Sequence, residues 1–140
     1  MKRILVPVDG SDCALRGLRL AAQRARESKA ELHVLHVEPP MAYTEMRVYV
    51  VRPELEQVRR EACRGVLDAA AAVAGAEGVA HAEHLEHGEV GQTIARFAAE
   101  QAIDEIVMGT RGLGALGGIL MGSVAQRVVH LAAVPVTLVK

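Results

Sequence analysis

Aromatic residues are nearly missing from this 140-residue chain, which has only Tyr43, Tyr49 and Phe97 and no tryptophan. A stacking platform for single-stranded nucleic acid needs such rings, so that class of function is excluded. An excess of positive charge is missing as well, because 16 Lys and Arg are balanced by 17 Asp and Glu. Without a basic surface there is little to displace counterions from a duplex, and no nucleic-acid partner is expected. No apolar run approaches the roughly 18–20 residues that span a bilayer, so no membrane role is expected either. The opening MKRILVPVDG has two basic residues and then a short apolar run that stops at Asp9. That is too short for a signal peptide and reads as a first strand, which makes the cytoplasm the expected location. Two cysteines, Cys13 and Cys63, form neither a disulfide framework nor a metal motif. Cys13 falls in the first turn of an expected helix, where a thiol pKa can drop, but an ordinary reduced thiol is the preferred reading.

What the chain does have is apolar material, at 51% hydrophobic against 24% charged, enough for one domain over residues 1–140. Arg3–Val8 is a short apolar run stopped by Asp9-Gly10-Ser11, a buried strand and a turn. From Ala14 to Ser28, Leu15, Leu18, Ala22 and Ala25 recur at helical spacing, with Ser11 or Asp12 available as a cap. Glu31–Val37 is a second strand, ended by Pro39-Pro40. Met41–Arg52 reads as a surface loop without evident chemistry, and Glu54–Ala74 as a long helix. His81–His87 follows as a weaker strand, Val90–Gln101 as a helix and Glu105–Met108 as a strand. A glycine-rich loop, a helix at Ser123–Ala132 and a strand at Val136–Val139 close the chain. Five strands with four intervening helices predict an α/β fold, one doubly wound parallel sheet covered on both faces.

The loop from Gly109 to Gly122 offers glycines between a strand and a helix, at the end of the sheet where doubly wound folds take ligands. Glycine allows close backbone approach and a helix start offers free amides, so a phosphate cradle competes with a plain structural connection. Three motifs can be laid on it. Gly112, Gly114 and Gly117 satisfy the dinucleotide fingerprint, but that motif belongs after the first strand, with an acidic residue about 20 positions on. No Asp or Glu follows Glu105, and the fingerprint is rejected. Gly117 and Gly122 have the spacing of a Walker loop, yet Ser123 follows Gly122 directly and the phosphate-binding lysine is missing. The third pattern fits fully. Gly109-x-x-Gly112, nine residues, and then Gly122-Ser123 resembles the G-2x-G-9x-G-[ST] signature of ATP-binding members of the universal stress protein family. The openings ILVPVDGSD and LHVLHVEPP resemble that family's first two strands, and HLAAVPVTLVK its closing helix and strand.

The resemblance covers the whole chain and implies a sheet of order 3-2-1-4-5, of the adenine nucleotide alpha hydrolase-like kind. It implies ATP as the ligand, with Mg²⁺ or Mn²⁺ bridging the phosphates. By it, Pro7, Val8 and Asp9 help hold adenine or ribose, and Val37 contacts adenine through its main chain. Met108 belongs to the site, and Gly109 and Gly112 approach the ribose and phosphates. Gly122, Ser123 and Val124 present amides and a hydroxyl to the terminal phosphates, although capping the last helix would also explain Ser123. Arg111 is either a cation for the phosphates or a solvated loop arginine. Ala125 departs from the family pattern, which often has a hydroxyl there, so one polar contact is in doubt. The implied function is nucleotide-responsive stress signalling, with homodimerisation through Val136–Val139. A slow ATPase or autokinase and a nucleotide-free structural homodimer are the alternatives.

Other chemistry finds less support. His81, His84 and His87 sit on an expected strand, where three-residue spacing sends side chains to opposite faces, so they cannot converge on a metal. His33 and His36 have the same parity problem, and His130 is expected on a helix surface. A phosphorelay receiver needs clustered carboxylates at strand ends, and Asp9 stands alone at its own. A flavin site would draw on aromatics that the chain lacks, and no Ser-His-Asp or Cys-His pairing suggests a nucleophile.

Overall fold

The computed structural model describes residues 1–112 and 120–140, and the side chains of all of these except Tyr43 and Thr44. Five parallel strands form one sheet in the order β3-β2-β1-β4-β5. They are β1 (Arg3–Pro7), β2 (Glu31–Glu38), β3 (His81–His87), β4 (Glu105–Gly109) and β5 (Val136–Val139). This is the predicted fold class and strand order.

Period-two alternation sorts the apolar residues of each strand onto two faces. Ile4, Val6 and Val8 join Leu32, Val34 and Val107 in one core, beneath α1 (Asp12–Ser28) and α3 (Pro53–Ala76). Leu5, Leu35, Val37, Ile106 and Met108 join the opposite core, beneath α4 (Val90–Glu100) and α5 (Ser123–Leu131). The central strand β1 is buried on both faces, which is why it reads as an unbroken apolar run rather than an alternating one.

The turn after β1 depends on Gly10, whose φ of 90° favours glycine, and on Asp9, whose Oδ1 accepts from the Ser11 amide at 2.9 Å. Ser11 is the cap of α1, its hydroxyl accepting from the Ala14 amide at 3.2 Å. That resolves the choice between Ser11 and Asp12.

Two expectations are corrected. Residues 41–52 are not a surface loop but hold a fifth helix, α2 (Tyr43–Val51), so there is one helix more than the four expected. Its apolar side chains include the exposed Met46, Val50 and Val51, so no buried stripe announced it. It is held instead by its neighbour α3, with the Arg59 guanidinium lying 6.0 Å over the Tyr49 ring. The second correction concerns Ser123. Gly122 occupies the N-cap position of α5 and makes no side-chain hydrogen bond there, so Ser123 is the first helical residue and not the cap.

Candidate functional site

The chain leaves β1 toward β2 on one side of the sheet and returns to β4 on the other, so the crossovers part company above β1 and β4. A cleft of about 810 Å³ opens there, at the carboxyl ends of the strands. That is within the usual size of a small-molecule site. All eleven residues singled out from the sequence line it: Pro7, Val8 and Asp9 from the end of β1, Val37 from β2, Met108, Gly109, Arg111 and Gly112 from β4 and the residues after it, and Gly122, Ser123 and Val124 from the start of α5. Gly114 and Gly117, which the rejected fingerprint used, lie outside the described residues.

The two ends of the cleft differ in chemistry. One is apolar, walled by Val37 and Leu35 of β2 and by Val90 and Ile94 of α4. The other is the start of α5. The amides at the start of α1 and α4 are answered by side chains: Ser11 accepts from Ala14, and Glu89 accepts from Gly91 at 3.3 Å and Gln92 at 2.7 Å. The cap position of α5 is a glycine and supplies no acceptor. Ser123 and Val124 of its first turn line the cleft, which brings the partial positive charge of a helix start to it.

The loop between these ends is closed by backbone. Thr110 is buried, its amide donates to the Val139 carbonyl at 2.8 Å, and its carbonyl accepts from the Gly122 amide at 2.7 Å. Beside it, Gly112 packs so closely on Asp9 that a Cβ there would run into the carboxylate Oδ2. Asp9 is thereby set between its own turn and the glycine loop.

His36 also lines the cleft and was passed over in the sequence, where strand parity spoke only against a metal site. A backbone carbonyl can only accept, so His36 Nδ1 carries the proton and donates to Val8 O at 2.8 Å, fixing the end of β1 to β2. Leu35, Val90, Ile94 and Met121 were missed because an apolar residue that walls a cleft has the same sequence pattern as one that fills a core.

Cys13 lies in the first turn of α1, as expected, and is buried against the end of the sheet. Burial pushes its thiol pKa up, but hydrogen bonds from the Arg111 and Thr110 side outweigh that and leave it lowered. The thiol donates to the Val139 carbonyl at 3.2 Å. Among the described residues no group of three or more His, Cys, Asp or Glu could hold a metal ion.

A sequence model of the universal stress protein family matches residues 1–140. The chain belongs to the universal stress protein family. It is 32% identical to universal stress protein YxiE of Bacillus subtilis over 145 residues, covering 99% of this chain and 98% of that protein. Among solved structures it is similar to the universal stress protein UspA from Lactobacillus plantarum, with a TM-score of 0.85 and 27% identity over 99% of this chain and 97% of that one. The universal stress protein from Archaeoglobus fulgidus in complex with dAMP gives a TM-score of 0.75 at 29% identity, covering 100% and 98% of the two chains. A universal stress protein in complex with cAMP gives 0.73 at 26% identity, covering 99% and 96%. No helix among the described residues of this family member is long and apolar enough to cross a membrane.

Proposed function

We propose that this universal stress protein is a cytoplasmic, ATP-binding regulatory module whose nucleotide state alters its association with partners. The observation that carries the reading is the start of α5: a helix without a side-chain cap, opening on a cleft whose far end is apolar. Adenine takes the apolar end, against the main chain of Val37 and the Pro7–Asp9 turn. The phosphates take the amides of Ser123 and Val124 and the Ser123 hydroxyl; the Gly122 amide, expected to join them, is instead held by the Thr110 carbonyl at 2.7 Å. Two solved relatives bind the adenine nucleotides dAMP and cAMP, which supports an adenine ligand. Asp9 is the single carboxylate lining the cleft among the described residues, so a Mg²⁺ or Mn²⁺ ion would be carried mainly by the phosphates that it bridges. The test is to denature freshly purified protein and identify the released nucleotide by mass spectrometry, then titrate the stripped protein with Mg-ATP by calorimetry. Saturable heat is expected. A flat titration at millimolar ATP overturns the reading.

Binding rather than turnover is the proposed role. Rapid phosphoryl transfer needs a positioned nucleophile, a metal held by protein groups and cations on the developing charge. The segment from Gly112 to Val124 contains no charged residue at all, and Arg111 is the one cation lining the described cleft. A single-turnover rate well below the ordinary enzymatic range of about 1 s⁻¹ and above is expected. A rate within that range, abolished by Asp9→Ala, would favour an enzyme instead. The module is further proposed to be a homodimer. β5 is an edge strand, half-buried along its length, with open hydrogen-bonding groups on its outer side. Light scattering at micromolar concentration is expected to report twice the chain mass.

A further inference from the structure

Strand parity keeps His81, His84 and His87 from converging, but it says nothing of pairing across strands. In the β2–β3 register Leu35 faces His84 and His33 faces Ala82, which makes His33 and His84 diagonal neighbours on one face. His33 Nδ1 lies 3.0 Å from His84 Nε2, with the two rings within 13° of parallel. Phe97 of α4 covers His84 from above, the ring centres 4.7 Å apart. His33 Nε2 lies 3.3 Å from Glu31 Oε2. A carboxylate only accepts, so that nitrogen carries the proton, neutral His33 has a bare Nδ1, and His84 donates to it through Nε2–H.

The charged surroundings come from every element packed on the pair. Glu31 of β2 is bound by Arg3 of β1 at 2.9 Å, and a second nitrogen of Arg3 donates to the Gln101 carbonyl at the end of α4 at 2.9 Å. Glu86 of β3 pairs with Arg96 of α4 at 3.4 Å, and Arg96 also reaches Glu100 at 3.8 Å. His81, Glu83 and His87 belong to the other face of β3 by alternation.

We propose that His33 and His84 form an acid-sensitive latch that holds α4 against β2 and β3, accepting one proton with the bond between their nitrogens intact and a second only by breaking it. The pair takes the first proton with a single N–H still shared between the two facing nitrogens. The second, which the buried His84 resists, puts an N–H on both of them and sets two cations against each other. Burial, reinforced by the neighbouring His33, holds the His84 imidazole below its ordinary value of 6.5, while Glu86 acts in the opposite direction. The unfolded chain therefore takes this proton more readily than the folded one. The latch's contribution is complete above about pH 6.5 and is lost as pH falls through the lower folded value. Opening it takes the His84 ring from one side of Phe97, which otherwise stays packed in the core, and on the same helix Val90 and Ile94 wall the cleft, so the effect on the site is a small loosening of α4. The latch does not depend on what the cleft binds.

The experiment compares denaturant unfolding of the wild type and His84→Phe at about pH 7.5 and about pH 5, a window above the carboxylate titrations. Phenylalanine keeps a ring against Phe97 and removes the titration. On acidification the wild-type unfolding constant is expected to rise severalfold more than that of the variant. Equal pH dependences overturn the proposal. If His84→Phe does not fold, the histidine resonances of the wild type decide. His84 titrating below 6.5, with its curve mirrored in the His33 signals, supports the latch; two independent and ordinary titrations overturn it.

Discussion

Gly109 and Gly122 stand at the two ends of one loop and belong to one sequence signature, but their surroundings differ. A Cβ on Gly109 would lie 2.8 Å from Cys13 Sγ, 3.0 Å from the Cys13 carbonyl carbon and 3.1 Å from the Ala14 amide. Glycine is required there because β4 and the first turn of α1 are in contact, whether or not a ligand is bound. Among the described residues a Cβ on Gly122 would meet nothing nearer than Thr110 O at 3.5 Å, an ordinary contact, and its φ of −72° and ψ of 168° suit any residue. The described residues impose no need of glycine at that position. A glycine that the fold requires says little about a ligand, whereas one that the fold does not require, at a helix start in a cleft, points to something that approaches from outside. On the proposed function the signature mixes a packing residue with a ligand residue, and spacing alone cannot separate them.

The largest expected effect is on the packing side of that contrast. Gly109→Val places a branched side chain against backbone and a buried thiol that cannot give way, and should cost about 3 kcal/mol or more in denaturant unfolding. Gly122→Val should leave the unfolding midpoint nearly unchanged while ATP affinity, measured by calorimetry, falls at least about a hundredfold, or about 2.8 kcal/mol. Similar losses of stability in the two variants would remove the distinction. Gly112→Ala comes next. Its methyl would displace the Asp9 carboxylate, with an expected loss of about tenfold in affinity, roughly 1.4 kcal/mol, and a smaller loss of stability, about 1 kcal/mol at most, from the Asp9–Ser11 bond. Unchanged affinity would mean that Asp9 takes no part in binding.

The same division between what the fold needs and what it leaves open explains how much was legible in the sequence. β1, β2, β4 and four of the helices were readable because each buries an apolar stripe, and burial writes a period into the sequence, whereas β3, with no buried residue, read only as a weaker strand. Residues 43–51 were misread because α2 exposes Val50 and Val51 and rests on α3 through contacts such as Arg59 with Tyr49, a tertiary support with no local period. The cleft was legible where a motif marks the residue, as with the glycines and Asp9, and illegible where the residue reads as ordinary core, as with Val90 and Ile94. Ser123 was misjudged by one position, because a serine at a helix start reads as a cap whether or not the preceding glycine holds that place. His33 with His84 could not be read at all, since their meeting depends on the β2–β3 register.

The smallest expected effect is the sharpest test of the contrast. In Gly122→Ala the methyl lies at ordinary contact distance from its described neighbours, so no overpacking term arises from them. Two small terms of opposite sign remain. Alanine restricts the unfolded chain more than glycine does, which stabilises by about 0.4–1 kcal/mol where the native φ and ψ are allowed, as they are here. Alanine is also a poorer N-cap than glycine, and that costs a comparable amount. The net change in unfolding free energy should fall within about 0.5 kcal/mol of zero, in either direction. Affinity for ATP should nevertheless drop several-fold, because the methyl stands where a phosphate oxygen would approach the amides of Ser123 and Val124. A loss of stability on the order of 2 kcal/mol or more would show that Gly122 is a packing glycine like Gly109. Unchanged stability together with unchanged affinity would show that the start of α5 is not where the nucleotide's phosphates lie.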